Sequence, residues 1–195
     1  AQARGEDHGG RVRRTRLETG AFREAAQLEA SDAGAIVIGK RGESGRARRH
    51  GLGSNAAALL GEASEPLLLV SKLYLPIHRG LVLIDADPRH RRTVEFVAAH
   101  PLLSALELDI IMMLPIGMDP EPKLTWARAK LGEGEADVFP MQHGSPDEAA
   151  ARYMADHHVD VIVMSRQMLF DQALGLGLSW ETRAIWGWRT PLFIC

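Results

Sequence analysis

The residues best placed to do chemistry lie in one stretch, Ile38-Gly39-Lys40-Arg41-Gly42-Glu43-Ser44-Gly45-Arg46-Ala47-Arg48-Arg49-His50-Gly51-Leu52-Gly53-Ser54-Asn55. Its five glycines permit positive φ and let a ligand approach bare backbone N–H groups. The stretch leaves an apolar run, Ala35–Ile38, and enters a helical pattern at Ser54. A helix start offers unpaired N–H donors and a partial positive charge, which together suit a phosphate. Lys40, Arg41, Arg46, Arg48 and Arg49 add charge of the same sign. The chemistry on offer is anion binding. The same composition also describes a surface loop whose glycines only make turns and whose arginines are solvated. No Gly-Lys-Ser/Thr closes the stretch, so it is not a Walker loop, and the Gly-x-Gly-x-x-Gly spacing of dinucleotide folds is absent.

Other candidates carry less. His157-His158 would end a helix with no partner at metal-ligating spacing. No Gly-x-Ser-x-Gly elbow occurs, which argues against a serine hydrolase. Cys195 closes an apolar run and reads as packing rather than as a nucleophile. Trp180, Trp186 and Trp188 cluster around the last helical stretch and read as core or subunit contact.

The elements that must position the loop follow from apolar patterning. Ala35–Ile38, Leu67–Val70, Leu81–Ile84, Ile110–Leu114, Val161–Met164 and Leu192–Cys195 are short runs without polar alternation, as expected of strands buried on both faces of a parallel sheet. Between them lie amphipathic stretches of helical length, Phe22–Ala30, Ser54–Ala63, Arg89–His100, Pro146–His157 and Ser179–Trp188. Ser145-Pro146-Asp147-Glu148 is a helix start with a capping serine, a proline and a box-closing glutamate. The alternation predicts a doubly wound α/β sheet.

The chain also matches itself. Gly20-x3-Glu24-Ala25-Ala26 answers Gly144-x3-Glu148-Ala149-Ala150, and Ala35-Ile36-Val37-Ile38-Gly39 answers Val161-Ile162-Val163-Met164-Ser165. Pro66-Leu67-Leu68-Leu69-Val70 answers Pro191-Leu192-Phe193-Ile194-Cys195. Two repeats are expected: residues 1–73 as the later part of a first module, 74–78 as linker, and 79–195 as a second module. The first shows only its last three strands and two helices. Its opening strand–helix–strand is expected to lie in an N-terminal segment that was removed or left out.

Composition narrows the function. A formal charge of −2 argues against a dedicated DNA binder. The single cysteine excludes an intrachain disulfide and fits a reducing compartment. No apolar run approaches the ~18–20 residues that span a bilayer, so no membrane partner and a cytoplasmic location are expected.

The loop resembles that of the universal stress proteins, whose ATP-binding members carry Gly-x2-Gly-x9-Gly-Ser/Thr after the fourth strand. This chain has Gly39-x2-Gly42-x10-Gly53-Ser54, one residue longer in the middle, followed by Asn55 and by Pro66-Leu67-Leu68-Leu69-Val70. The resemblance implies a Rossmann-like fold of two repeats, paired as a pseudo-dimer through the last strands Leu67–Val70 and Leu192–Cys195, with a homodimer also open. It implies a stress-response regulator holding ATP or AMP, with or without Mg, through Gly39, Gly42, Gly53, Ser54 and Asn55, with Arg41 beside them. In the second module Ser165, Met168 and Leu178 stand at the glycine positions, so no nucleotide is expected there, although Ser179 is kept and Asp85 ends a strand like the family's first. Efficient catalysis is not expected. A slow ATPase or self-phosphorylation at Ser54, an enzyme acting on an adenylated or phosphorylated small molecule, and a nucleotide-free interaction module are the alternatives.

Overall fold

The computed structural model describes residues 34–40, 52–71, 75–85, 91–132, 136–140, 146–171 and 189–195, together with Phe22 and Ala26. Its elements run β1 (Ile36–Gly39), α1 (Ser54–Glu62), β2 (Leu67–Val70), β3 (Arg79–Asp85), α2 (Arg91–Ala99), β4 (Glu107–Leu114), α3 (Glu121–Leu131), β5 (Ala136–Pro140), α4 (Pro146–Asp156), β6 (Val161–Met164), α5 (Arg166–Asp171) and β7 (Leu192–Ile194). The expected helix over Phe22–Ala30 lies almost wholly outside the described residues, and that over Ser179–Trp188 does so entirely.

The strands form one seven-stranded sheet in the order β1-β2-β7-β6-β3-β4-β5. Every neighbouring pair is parallel except β2 with β7, which pair antiparallel with Leu67 opposite Ile194, Leu68 opposite Phe193 and Leu69 opposite Leu192. The architecture is the α/β Rossmann-like sheet expected, with helices on both faces. Among the described residues no helix is long and apolar enough to cross a membrane.

The unbroken apolar runs are explained by this layering. Leu81 and Leu83 of β3 enter one core with Ala56, Leu59 and Leu60 of α1 and Ala149, Ala150 and Tyr153 of α4. Val82 and Ile84 enter the other core with Val94 and Val97 of α2 and Leu124 and Ala127 of α3. A strand covered on both faces has no solvent side on which polar residues would alternate. Each fully buried Leu or Ile contributes about 1.5–3 kcal/mol. Strands at the sheet ends fare differently. Val37 of β1 is 60% exposed, whereas Val163, at the matching place in β6, is fully buried between β7 and β3.

Two carboxylates hold the start of β3. Asp109, buried in β4, receives Arg79 Nε at 2.6 Å. Asp160 Oδ2 accepts the backbone N–H groups of His78 and Arg79, both at 2.9 Å, while its Oδ1 lies 2.7 Å from His158 Nε2. Burial alone would raise the Asp160 carboxyl, but the two N–H donors and His158 more than offset it and hold it below its ordinary value. A depressed folded value means the carboxylate stabilises the fold above the unfolded pKa of about 4, and this contribution is lost as pH falls through the folded value. Asp160→Asn is therefore expected to cost about 1–2 kcal/mol at pH 7 and to show a smaller loss of stability between pH 5 and pH 3 than the wild type. Urea unfolding across that range checks it, and an unchanged acid dependence would count against the assignment.

Candidate functional site

The loop is built where β1 ends. Gly39 lies opposite Val70 in the ladder, and the next residue extends the pairing through Lys40 N–H to the Val70 carbonyl at 2.8 Å. The Lys40 carbonyl accepts the Gly53 N–H at 2.9 Å, so the two ends of the intervening segment meet at a closed neck. α1 begins directly beyond this neck, outside the carboxyl end of a parallel strand, where open α/β sheets bind ligands.

Gly53 caps α1 with φ −58° and ψ 149°, ordinary extended backbone that any residue adopts. The expected need for positive φ does not apply here. What glycine leaves out matters more: Gly53 brings no capping side chain, among the described residues no side chain caps the first-turn N–H groups, and no acidic residue stands in that turn. Gly39, Ser54 and Asn55 are exposed, while Gly53 is half-buried. The other end of α1 is satisfied from the second half of the chain. Arg166 Nη1 donates to the Leu60 carbonyl at 2.7 Å, and Nη2 to the Glu65 carbonyl at 3.0 Å. A cation at a helix C-terminus answers its unpaired carbonyls and its negative dipole end.

Gly39, Gly53, Ser54 and Asn55 are thus gathered around one neck. Arg41 and Gly42 lie outside the described residues, as does Ser179. Lys40, one of the cations at the edge of the loop, is 7% exposed, and its Nζ donates to the Thr190 carbonyl at 2.7 Å. This contact reaches the other half of the chain. Asp85 is not part of this group either. It ends β3, and because β1 and β2 run against β3, that end lies at the opposite side of the sheet from Gly39.

The segment after β6 folds differently from the one after β1. Ser165 Oγ accepts the Met168 N–H at 2.9 Å and caps α5, a short helix that patterning did not foresee. Met168, at a family glycine position, is buried in the core shared by α1 and α4. Leu178 lies outside the described residues. His157 stacks on Tyr153 with ring centroids 4.0 Å apart, and His158 pairs with Asp160; among the described residues no cluster could hold a metal.

Sequence reasoning missed Arg166 and the direction of Lys40. A signal existed: each is a cation immediately following matched apolar strands, Ile36–Gly39 and Ile162–Ser165.

Over 155 residues, 75% of the chain, the sequence is 26% identical to universal stress protein Slr1230 of Synechocystis sp.. The sequence is similar to that of a universal stress protein. The chain spans about half the length of that relative, 52%. The crystal structure of a universal stress protein from Archaeoglobus fulgidus superposes with a TM-score of 0.59 at 18% identity, over 89% of this chain and 64% of that one, a likeness of fold. No family model matches the chain.

Cys195 follows β7, and its Sγ donates to the Met164 carbonyl at 3.5 Å. Burial pushes the thiol up to about 12, despite the lowering effects of Thr93 and Arg166. A thiol so shifted holds almost no thiolate at neutral pH. Alkylation by iodoacetamide at pH 7.5 is expected to be at least ~100-fold slower in the native protein than in urea. Comparable rates would show the thiol to be accessible and ionisable.

Proposed function

We propose that the protein binds an adenine nucleotide, ATP or AMP, with the phosphates at the loop between β1 and α1, and that it serves as a regulator in a stress response. The observation that carries this reading is the start of α1, which among the described residues has neither a side-chain cap nor an acid in its first turn and stands at a closed neck beyond a parallel strand. An anion there would meet first-turn N–H groups and the positive dipole end. The Gly39-x2-Gly42-x10-Gly53-Ser54 spacing and the similarity to a universal stress protein support the same ligand.

The chain is read as two modules, residues 1–73 and 79–195 with a linker at 74–78, joined as a pseudo-dimer. The matched hydrogen bonds support this. Ile36 N–H to Pro66 O at 2.8 Å answers Ile162 N–H to Pro191 O at 3.0 Å, and Lys40 N–H to Val70 O answers Arg166 N–H to Cys195 O at 2.7 Å. The second module is read as nucleotide-free, because α5 and the buried Met168 stand where a phosphate loop would open. The same feature favours the competing reading, in which the whole chain is an interaction module.

Ser54→Asp separates the two. A carboxylate in the first turn stabilises a helix by about 0.3–1 kcal/mol and repels a phosphate. The variant is therefore expected to unfold at a slightly higher temperature than wild type yet bind ATP at least ~10-fold more weakly. Calorimetric titration with ATP and AMP beside thermal unfolding reads both. A wild-type protein that ignores both nucleotides at millimolar concentration would leave the interaction module standing.

A further inference from the structure

We propose that Lys40 and Arg166 form a reciprocal clamp, each tying the segment that leaves a parallel strand in one half to the backbone just ahead of the last strand in the other half. The two contacts correspond residue for residue. Lys40 follows β1 and Arg166 follows β6 at matched positions, while Glu65 and Thr190 immediately precede the matched prolines Pro66 and Pro191. Lys40 Nζ donates to the Thr190 carbonyl at 2.7 Å, and Arg166 Nη2 donates to the Glu65 carbonyl at 3.0 Å. Both donors sit on residues whose own N–H groups continue the ladder, Lys40 to Val70 and Arg166 to Cys195. Each side chain therefore adds a tie across the β2–β7 seam to the backbone pairing that already joins the two ladders.

Lys40 does one thing more. Its carbonyl closes the neck by accepting the Gly53 N–H at 2.9 Å, so one residue joins the start of α1 to the seam between β2 and β7. It acts as a positioning residue: a change in the loop is transmitted through Lys40 to Thr190 and the β7 strand. At 7% exposure the contact is shielded from water, where a polar contact is hardest to replace.

Hydrogen exchange of the full chain without nucleotide tests the clamp separately from the nucleotide reading. In Lys40→Met, exchange is expected to rise about 10-fold or more in the peptides covering 189–195 and 52–56, with β4 and β5 unchanged. Arg166→Met is expected to raise it in the peptide covering 59–70, and Lys40→Arg to restore the wild-type pattern. Should Lys40→Met not fold, Lys40→Gln, which keeps a donor but lacks the reach, is read at the same peptides. Unchanged exchange at 189–195, or an equal rise throughout β3, β4 and β5, would overturn the proposal, since either result is what a purely local or a purely global role produces.

Discussion

Between Leu67–Val70 and Leu192–Ile194 the sheet reverses direction, and most of what distinguishes this molecule follows from that one antiparallel pairing. Leu67, Leu69, Leu192 and Ile194 are fully buried there, so the reversal sits in the core that α1 and α4 cover. A parallel junction would have put the carboxyl ends of β1 and β3 at the same edge of the sheet. The antiparallel one sets the carboxyl end of β1 beside the approach to β7, which brings Lys40 within reach of Thr190 and Arg166 within reach of Glu65. It also removes Asp85 from the glycine loop. A nucleotide held at that loop would take its remaining contacts from residues other than Asp85.

The second constraint is electrostatic and runs along α1. Its C-terminal carbonyls are answered by a guanidinium from the other half of the chain, while among the described residues its first turn has no counterpart from a side chain. Gly53 in place of Ser, Thr or Asp leaves the donors open at a cost of only a few tenths of a kcal/mol. On the proposed reading, that asymmetry leaves the start of α1 suited to a small anion.

Much of the fold was legible in the sequence. The unbroken runs Leu67–Val70 and Val161–Met164 are strands with the expected bounds, and Ser54 and Pro146 open helices where their types and positions say they should. β3 and β4 extend beyond their apolar cores to Arg79 and Glu107, because the ladder continues through polar residues whose side chains find partners or solvent. The direction of β7 relative to β2 was not written in either run. Strands buried on both faces carry no polar stripe from which a relative direction could be read. α5 escaped notice because its six residues span less than two turns, too few for a helical period to show. The destination of Lys40 lies 150 positions away in sequence, and only the folded sheet brings the two together. The five glycines announced a loop, but Gly53 serves it by lacking a side chain and not by its backbone angles.

Backbone cross-strand NOEs in isotopically labelled protein test the reversal at β2 and β7 most directly. The account predicts contacts pairing Leu67 with Ile194 and Leu69 with Leu192. Contacts pairing Leu67 with Leu192 and Leu69 with Ile194, the signature of a parallel junction, would contradict it and remove the geometry on which the clamp and the placement of the loop both rest.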